Sequence, residues 1–301
     1  MDRIRQMQIF IQVMESGSFT RAAAALNLPR STVSTEVQAL EDRLQVQLLQ
    51  RTTRRVMPTD DGLRFFSSAR DIVDAVEVSE HMFGKGPMRI RGRLRIDMPS
   101  RIGRRIVIPA LPDFIAAHPG IELTLSMTDR LVDMIAEGVD FVIRVGALEN
   151  SDLVCSRLGD VELINCASPA YLAARGTPAT PDDLPSHDLV NYAARLPAGD
   201  AAWEHVEDGT PRTLTMRSAI TVDNAEAYIA AARAGLGIIQ IPAFDVRDLL
   251  DTGALIEIMP DFRPPPMQLS LLYVRRRHLP PRIRLFQTWI RDVLQAHDVV
   301  R

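Results

Sequence analysis

Arg30-Ser31-Thr32-Val33-Ser34-Thr35-Glu36-Val37-Gln38-Ala39-Leu40-Glu41-Asp42-Arg43-Leu44 is the stretch on which the reading of this chain turns. At about 100° per residue on a helix, Val33, Val37, Leu40 and Leu44 fall on one narrow apolar stripe, and Ser31, Ser34, Thr35 and Gln38 point away from it. One face belongs to a core; the other is a row of short hydrogen-bonding side chains. Just upstream, alanine-rich residues 19–26 read as a second, shorter helix with Ser18 as its N-cap, and Asn27-Leu28-Pro29 reads as a tight turn in which Pro29 can begin the next helix. Two helices joined in this way form a helix-turn-helix. The polar face of the second would lie in a major groove, where Ser, Thr and Gln hydrogen-bond to base edges or phosphates. Ser18, Arg30, Ser31, Thr32, Ser34, Thr35 and Gln38 are therefore the candidate DNA-contacting residues of the pair.

The flanks extend this unit. Ile4, Met7, Ile9, Phe10, Val13 and Met14 give a helical apolar pattern stopped by Gly17, a helix expected to pack under the other two. After Leu44, residues 46–50 and 55–57 read as two short strands around Arg51-Thr52-Thr53-Arg54. A hairpin with Arg51, Thr52, Thr53, Arg54 and Arg55 and no acid is a wing suited to the DNA backbone or minor groove; the alternative is a solvated turn. Thr59-Asp60-Asp61 then opens a long helix, with a threonine cap and two acids placed well for the helix dipole. Its Leu63, Phe66, Ala69, Val73, Val76 and Phe83 recur as a dimer seam would, against the alternative of packing on its own domain. Gly84-Lys85-Gly86-Pro87 is the best domain boundary in the sequence.

From Arg91 the pattern becomes alternating strand and helix: strands near 94–98, 121–125 and 139–145, with helices at 102–118 and 131–137 between them. This βαβαβ order predicts a parallel sheet. A second set is expected from a strand at 162–166, a helix at 169–174, strands at 213–216 and 219–222, a helix at 224–234 and a strand at 237–241. A strand at 269–274 and a helix at 281–294 close the chain. The fold class is thus α/β: a winged helix-turn-helix and long helix, then two α/β lobes enclosing a cleft. Ligands bind beyond the carboxyl ends of strands in open α/β sheets, which selects Pro99-Ser100, residues 126–128 including Thr128, Arg144 to Gly146, and Ala167-Ser168 as cleft edges.

Composition sets the class. A chain of 301 residues, 46% apolar and 24% charged, is an ordinary globular protein with room for two or more domains. Residues 1–58 hold eight arginines and five acids, so this region is +3 and the remainder −6 within a total of −3. That asymmetry suits an N-terminal unit that meets phosphate and a C-terminal unit that does not. The first residues carry dispersed charge and no apolar run with a cleavage site, and no stretch approaches the ~20 residues that span a bilayer, so a cytoplasmic protein without a membrane partner is expected. Cys155 and Cys166 read as reduced thiols, with a redox pair as the alternative.

No catalytic constellation stands out. Gly235-Leu236-Gly237 lacks the third glycine of a dinucleotide loop, the six histidines are dispersed without metal-site spacing, and no serine sits in a nucleophile elbow. Asp182-Asp183 and Asp223-Asn224 precede expected helices, where they serve as caps, the latter with a secondary chance of facing the cleft. No enzyme, no cofactor and no metal are expected. A solute-binding protein would share the two lobes but would have no use for residues 1–58.

Taken together, Gly17-Ser18-Phe19-Thr20-Arg21-Ala22-Ala23, Ser31-Thr32-Val33-Ser34, Leu49-Gln50-Arg51-Thr52-Thr53-Arg54-Arg55 and Thr59-Asp60-Asp61-Gly62 resemble the LysR-type transcriptional regulators, in the branch with an Arg-Thr-Thr-Arg-Arg wing. Gly138-Val139-Asp140, Arg144-Val145-Gly146, Ser168-Pro169-Ala170-Tyr171-Leu172 and Ala234-Gly235-Leu236-Gly237-Ile238 are similar to that family's effector domain, a type 2 periplasmic-binding-protein-like fold. The resemblance implies a DNA-binding domain at 1–58, a dimerising linker helix at 59–84, a hinge at 85–92 and an effector domain at 93–301, with lobe I near 93–161 and 267–301 and lobe II near 162–266. It implies a homodimer or homotetramer on double-stranded promoter DNA, a small-molecule effector in the cleft, and contact with RNA polymerase. Ser100 and Thr128 match the family's recurrent inducer-binding positions. With main-chain amides at helix starts, they suggest a polar or carboxylated ligand; Arg101, Arg104 and Arg105 reinforce this, against a solvated face. One departure is Thr35, where the family commonly has arginine; with Glu36 beside it, the half-site preference or the affinity at given salt is expected to differ from that of relatives.

Overall fold

Asp2 and Gly17 set the limits of the first helix in the computed structural model. α1 (Arg3–Ser16) begins where the Asp2 carboxylate accepts from the Ile4 amide at 3.2 Å and ends where Gly17 takes φ +61°. The structure describes residues 2–51, 56–81, 90–130, 132–134, 137–146, 153–193, 201–274 and 279–300. They form two units: residues 1–92, 133–139 and 276–284 in one, and 93–132, 140–275 and 285–301 in the other.

In the first unit α2 (Phe19–Leu26) is capped by Ser18, whose Oγ accepts from the Arg21 amide. Asn27 turns the chain at φ 51°, and Pro29 is the N-cap of α3 (Arg30–Leu44) rather than its first residue, with no side-chain cap hydrogen bond. Val33, Val37 and Leu40 are fully buried against Ile9, Phe10 and Val13. Leu44, the fourth member of the expected stripe, is only half-buried. Buried Glu41 is the residue that sequence reading missed: its Oε1 accepts from the amides of Leu48 and Leu49 at 2.8 and 2.9 Å. Residues 46–48 form an irregular connection fixed by those bonds, so β1 (Leu49–Arg51) starts three residues later than expected and pairs antiparallel with β2 (Val56–Pro58). Leu48 is fixed from its other side as well. Its carbonyl accepts from the Thr59 amide at 3.0 Å, and Thr59 caps α4 (Asp60–His81) by accepting from the Gly62 amide at 2.9 Å. Of the expected dimer seam, Phe66, Ala69 and Val73 are buried within this unit, Phe66 in the core of α1 and α3. Arg70 donates to the Gly138 carbonyl and Asp74 accepts from Arg282 at 2.6 Å. Those three seam positions of the helix pack within its own unit, whereas Leu63 and Val76 of the same expected seam are half-buried; Phe83 and residues 84–87 lie outside the described residues.

The second unit opens with β3 (Gly92–Met98), α5 (Ser100–Ile102), a π-helical turn at Gly103–Val107 and α6 (Ile108–Ala117), followed by β4 (Ile121–Met127) and β5 (Phe141–Val145). The helix expected at 131–137 is represented, among its described residues, by a turn in which Glu137 donates to Asp133. β6 (Leu153–Val161), β7 (Leu163–Ala167), α7 (Pro169–Arg175), β8 (Asp188–Tyr192), the hairpin β9 (Ala202–Glu207) and β10 (Thr210–Thr215), and β11 (Arg217–Val222) follow. Then come α8 (Ala225–Arg233), β12 (Ile239–Pro242), α9 (Ala243–Asp251), β13 (Ile256–Glu257), β14 (Met267–Val274) and α10 (Pro281–Ala296). The first lobe is a five-stranded sheet in the order β4-β3-β5-β14-β6. Parallel pairing holds for β3 with β5, but β14 returns antiparallel between β5 and β6, so the sheet is mixed rather than parallel. Phe141 of β5, Phe114 of α6 and Phe286 and Trp289 of α10 close its core, with ring centroids 4.8 to 5.5 Å apart. In the second lobe β7 lies antiparallel between β12 and β13, and β8 with β11 is parallel. The expected second parallel set is corrected accordingly: the strand after α8 runs back along β7.

Candidate functional site

The outward face of α3 is built by what its inward face buries. With Val33, Val37 and Leu40 held in the core, Arg30, Ser31, Thr35 and Gln38 are exposed and Ser34 and Thr32 are half-buried. Ser18 is occupied in capping α2. Glu36, feared as an intruding acid beside Thr35, is turned inward: it accepts from Gln6 of α1 at 3.1 Å, and Gln6 in turn accepts from Arg43 at 3.3 Å. The outer row is thus hydroxyls and an amide, with the uncapped N-terminus of α3 at one end, an arrangement that offers main-chain N–H groups to an anion such as phosphate. Arg51 ends β1; Thr52, Thr53, Arg54 and Arg55 lie outside the described residues.

Within the second unit a cavity of about 350 Å³ opens between its two lobes, of a size for a small metabolite. Of the expected cleft residues, Pro99 and Arg144 line it. Arg144 is buried, donating to Asp97 at 2.5 Å and to the Arg130 carbonyl at 2.8 Å, and its Nε has no hydrogen-bond partner among the described residues. Ser100, Arg101, Thr128, Gly146, Ser168, Asp223 and Asn224 are not among the lining residues. Thr128 donates to the Asp97 carboxylate at 3.1 Å; Gly146, at φ +100°, bonds the Gln268 carbonyl. Ser168 and Asn224 cap α7 and α8, and exposed Asp223 accepts from Asn224.

The lining that sequence reading missed is Asp129, Asn191, Tyr192, Glu204, Tyr228, Gln240 and Asp245. Asp129 takes the place foreseen for a carboxylated ligand. One of its oxygens accepts from the Ser100 amide at 3.2 Å and the other from the Ala225 amide at 3.1 Å, so one carboxylate of the chain caps α5 of the first lobe and α8 of the second. The helix-start amides from which an anionic ligand was inferred are therefore already taken.

Arg101, Arg104 and Arg105 are all held in ion pairs, Arg101 buried, Arg105 half-buried and Arg104 exposed. Arg101, 5% exposed, bonds Asp245 at 3.1 Å and Glu226 at 3.2 Å; Arg104 also pairs with Glu226, and Arg105 with Asp248 at 2.9 Å. These pairs fasten α5 and the π-helical turn to α8 and α9. Burial pushes the Asp245 carboxyl up to about 6 in spite of the Arg101 charge, and burial pushes the Tyr192 hydroxyl up to about 12. Cys155 is exposed, whereas Cys166 is buried and its thiol is pushed up to about 12 by burial, the environment of an unreactive thiol. Among the described residues no group of three His, Cys, Asp or Glu side chains converges to hold a metal, and no helix is long and apolar enough to cross a membrane.

Residues 4–63 match the family model for bacterial regulatory helix-turn-helix proteins of the lysR family, and residues 89–295 match the LysR substrate binding domain. An uncharacterized HTH-type transcriptional regulator of Escherichia coli (strain K12), YhjC, is 42% identical over 297 residues, 99% of each chain. An HTH-type transcriptional repressor of Pseudomonas aeruginosa (strain UCBPP-PA14) is 34% identical over all of this chain and 95% of that one. Among solved structures, CrgA of Neisseria meningitidis, described as a LysR-type transcriptional regulator, superimposes with a TM-score of 0.60 at 27% identity, covering 96% of this chain and 97% of that one. A full-length OxyR variant from Pseudomonas aeruginosa has the same fold, with a TM-score of 0.74 at 17% identity over 100% of this chain and 97% of its own.

Proposed function

Because the chain belongs to the LysR family of bacterial helix-turn-helix transcriptional regulators, we propose that Arg30, Ser31, Thr32, Ser34, Thr35 and Gln38 read promoter DNA while the wing at 51–55 holds the phosphate backbone. The protein is a sequence-specific DNA-binding regulator, not an enzyme, and a small-molecule effector modulates its promoter binding. The observation that carries the residue assignment is the outward row of α3, which is polar throughout and exposed at Arg30, Ser31, Thr35 and Gln38; Glu36 is turned toward Gln6, and the acid beyond the row, Asp42, accepts from Gln38 at 3.0 Å. On this reading residues 1–58 form the DNA-binding domain, 59–84 the linker helix, 85–92 the hinge and 93–301 the effector domain. Homodimers or homotetramers sit on an interrupted palindrome in the cytoplasm, and the effector alters contact with RNA polymerase.

Gel shifts on the intergenic DNA upstream of the gene test the DNA half. Arg54→Ala is expected to weaken binding to all sequences alike and to reduce the salt slope by about 1, whereas Thr35→Ala is expected to cost about 1–3 kcal/mol at one base position. The opposite pattern would reverse the roles of wing and helix. For the effector half, Ala202→Trp places an indole in the cavity lining at an exposed position, and a promoter reporter is expected to lose its response to growth medium. An unchanged response places the effector elsewhere.

A further inference from the structure

The charge of the cavity is not the charge that a carboxylate would seek. Asp129, Glu204 and Asp245 line it, with Arg144 as the cation among them. Two of these four are neutralised from behind: Asp245 by buried Arg101 and Arg144 by buried Asp97. Asp129 and Glu204 remain. Asp129 is held by neutral amides at the starts of α5 and α8, and the Glu204 side chain is bonded to no cation among the described residues. The space therefore keeps a net negative wall, half-buried at Asp129 and exposed at Glu204, where a charge of opposite sign is favoured. Tyr192, 40% exposed, adds a ring next to that of Tyr228, with centroids 5.4 Å apart. Aromatic faces beside carboxylates favour an organic cation. A further feature asks for a different atom: the Nε–H of Arg144, on a residue 8% exposed, has no acceptor among the described residues, so an acceptor on the ligand would satisfy it.

Resting on the reading that this cavity is the effector site, we propose that the effector is a small organic cation: an ammonium or amidinium group on an apolar or aromatic body carrying at least one hydrogen-bond acceptor. Its cationic end faces Asp129 and Glu204 beside Tyr192, and its acceptor faces Arg144. Asp129 serves as the chain's own anion at the two helix N-termini, so the ligand has no need to supply one.

The full-length protein is tested with matched probes that share a phenol and differ in charge, tyramine, 4-hydroxyphenylacetate and 4-hydroxyphenylethanol, together with 4-aminobutan-1-ol as an aliphatic cation whose hydroxyl can accept. Thermal shift and calorimetry are the readouts. Tyramine or 4-aminobutan-1-ol is expected to raise Tm and to bind at least about tenfold more tightly than 4-hydroxyphenylacetate, and Glu204→Gln is expected to weaken that binding about fivefold. Equal or tighter binding of the carboxylate, no Tm increase with either cation, or cation binding indifferent to Glu204→Gln would overturn the inference. The Ala202→Trp variant separates the two levels. Carboxylate binding that this variant abolishes overturns the charge class and leaves the cavity as the effector site; cation binding that it leaves intact overturns both.

Discussion

Glu41 is the residue whose removal tests the architecture of the DNA-binding unit most sharply. It is 7% exposed, and a single oxygen accepts both the Leu48 and the Leu49 amides. Glu41→Ala leaves two buried N–H groups without that partner, at about 1–3 kcal/mol each, so about 2–5 kcal/mol of local stability is at stake. Glu41→Gln keeps the accepting Oε1 and loses only the charge assistance, about 1 kcal/mol. Trp203 and Trp289, the two tryptophans of the chain, both lie in the other unit, so their fluorescence does not report on this junction. Amide hydrogen exchange of a peptide covering Leu48 and Leu49 does. The alanine variant is expected to exchange at least about 30-fold faster than the parent and the glutamine variant about fivefold faster. Equal acceleration in both variants, or an alanine variant within twofold of the parent, would refute the clamp. DNA affinity is expected to follow the same order, falling alike on all sequences because the wing is what loses its anchor.

A methyl group at Gly62 would sit 2.0 Å from the Leu48 carbonyl oxygen, so Gly62→Ala forces the start of α4 away from β1; a loss of about 1–3 kcal/mol is expected in a far-UV melting curve. Asp245 sets a pH dependence. Its carboxyl stands at about 6 when folded against 3.8 for the free group, so the folded state binds the proton first, and this residue's contribution grows as pH falls from 7 through 6 toward 4. The parent is thus expected to gain Tm relative to Asp245→Asn across that window; a difference that is flat with pH contradicts it.

The N-terminal unit was legible because its signals are local. Ser18, Gly17, Thr59 and the Val33-Val37-Leu40 spacing each specify a cap, a stop or a buried stripe without reference to distant residues. Glu41 was not, because a buried carboxylate clamping amides seven and eight residues on has no periodic signature. The cleft was legible only as strand ends. Pro99 and Arg144 follow from that rule, yet Asp129, one residue past Thr128, matters through an amide 96 positions away at Ala225. Tyr192 and Glu204 lie on strands that went unseen: Trp203 and His205 alternate inward on β9, but a buried histidine masks the apolar period. α9 did carry a signal, with Val246, Leu249 and Leu250 at helical spacing behind Pro242, and Asp245 sits on it. β6, with arginine, serine and glycine among its nine residues, offers no alternation; its place is set by pairing with β14.

The division of labour on α3 bears on how operator preference could be rewritten. Positions 31, 34, 35 and 38 face outward and carry little of the core, so they are open to replacement as a set. Val33, Val37, Leu40 and Glu41 are the mounting of the same helix. A recognition helix transplanted from a relative will keep its reading frame on DNA only if those four are carried with it or retained. Glu41 is the least dispensable, because it is the one residue of α3 that tells the wing where to begin.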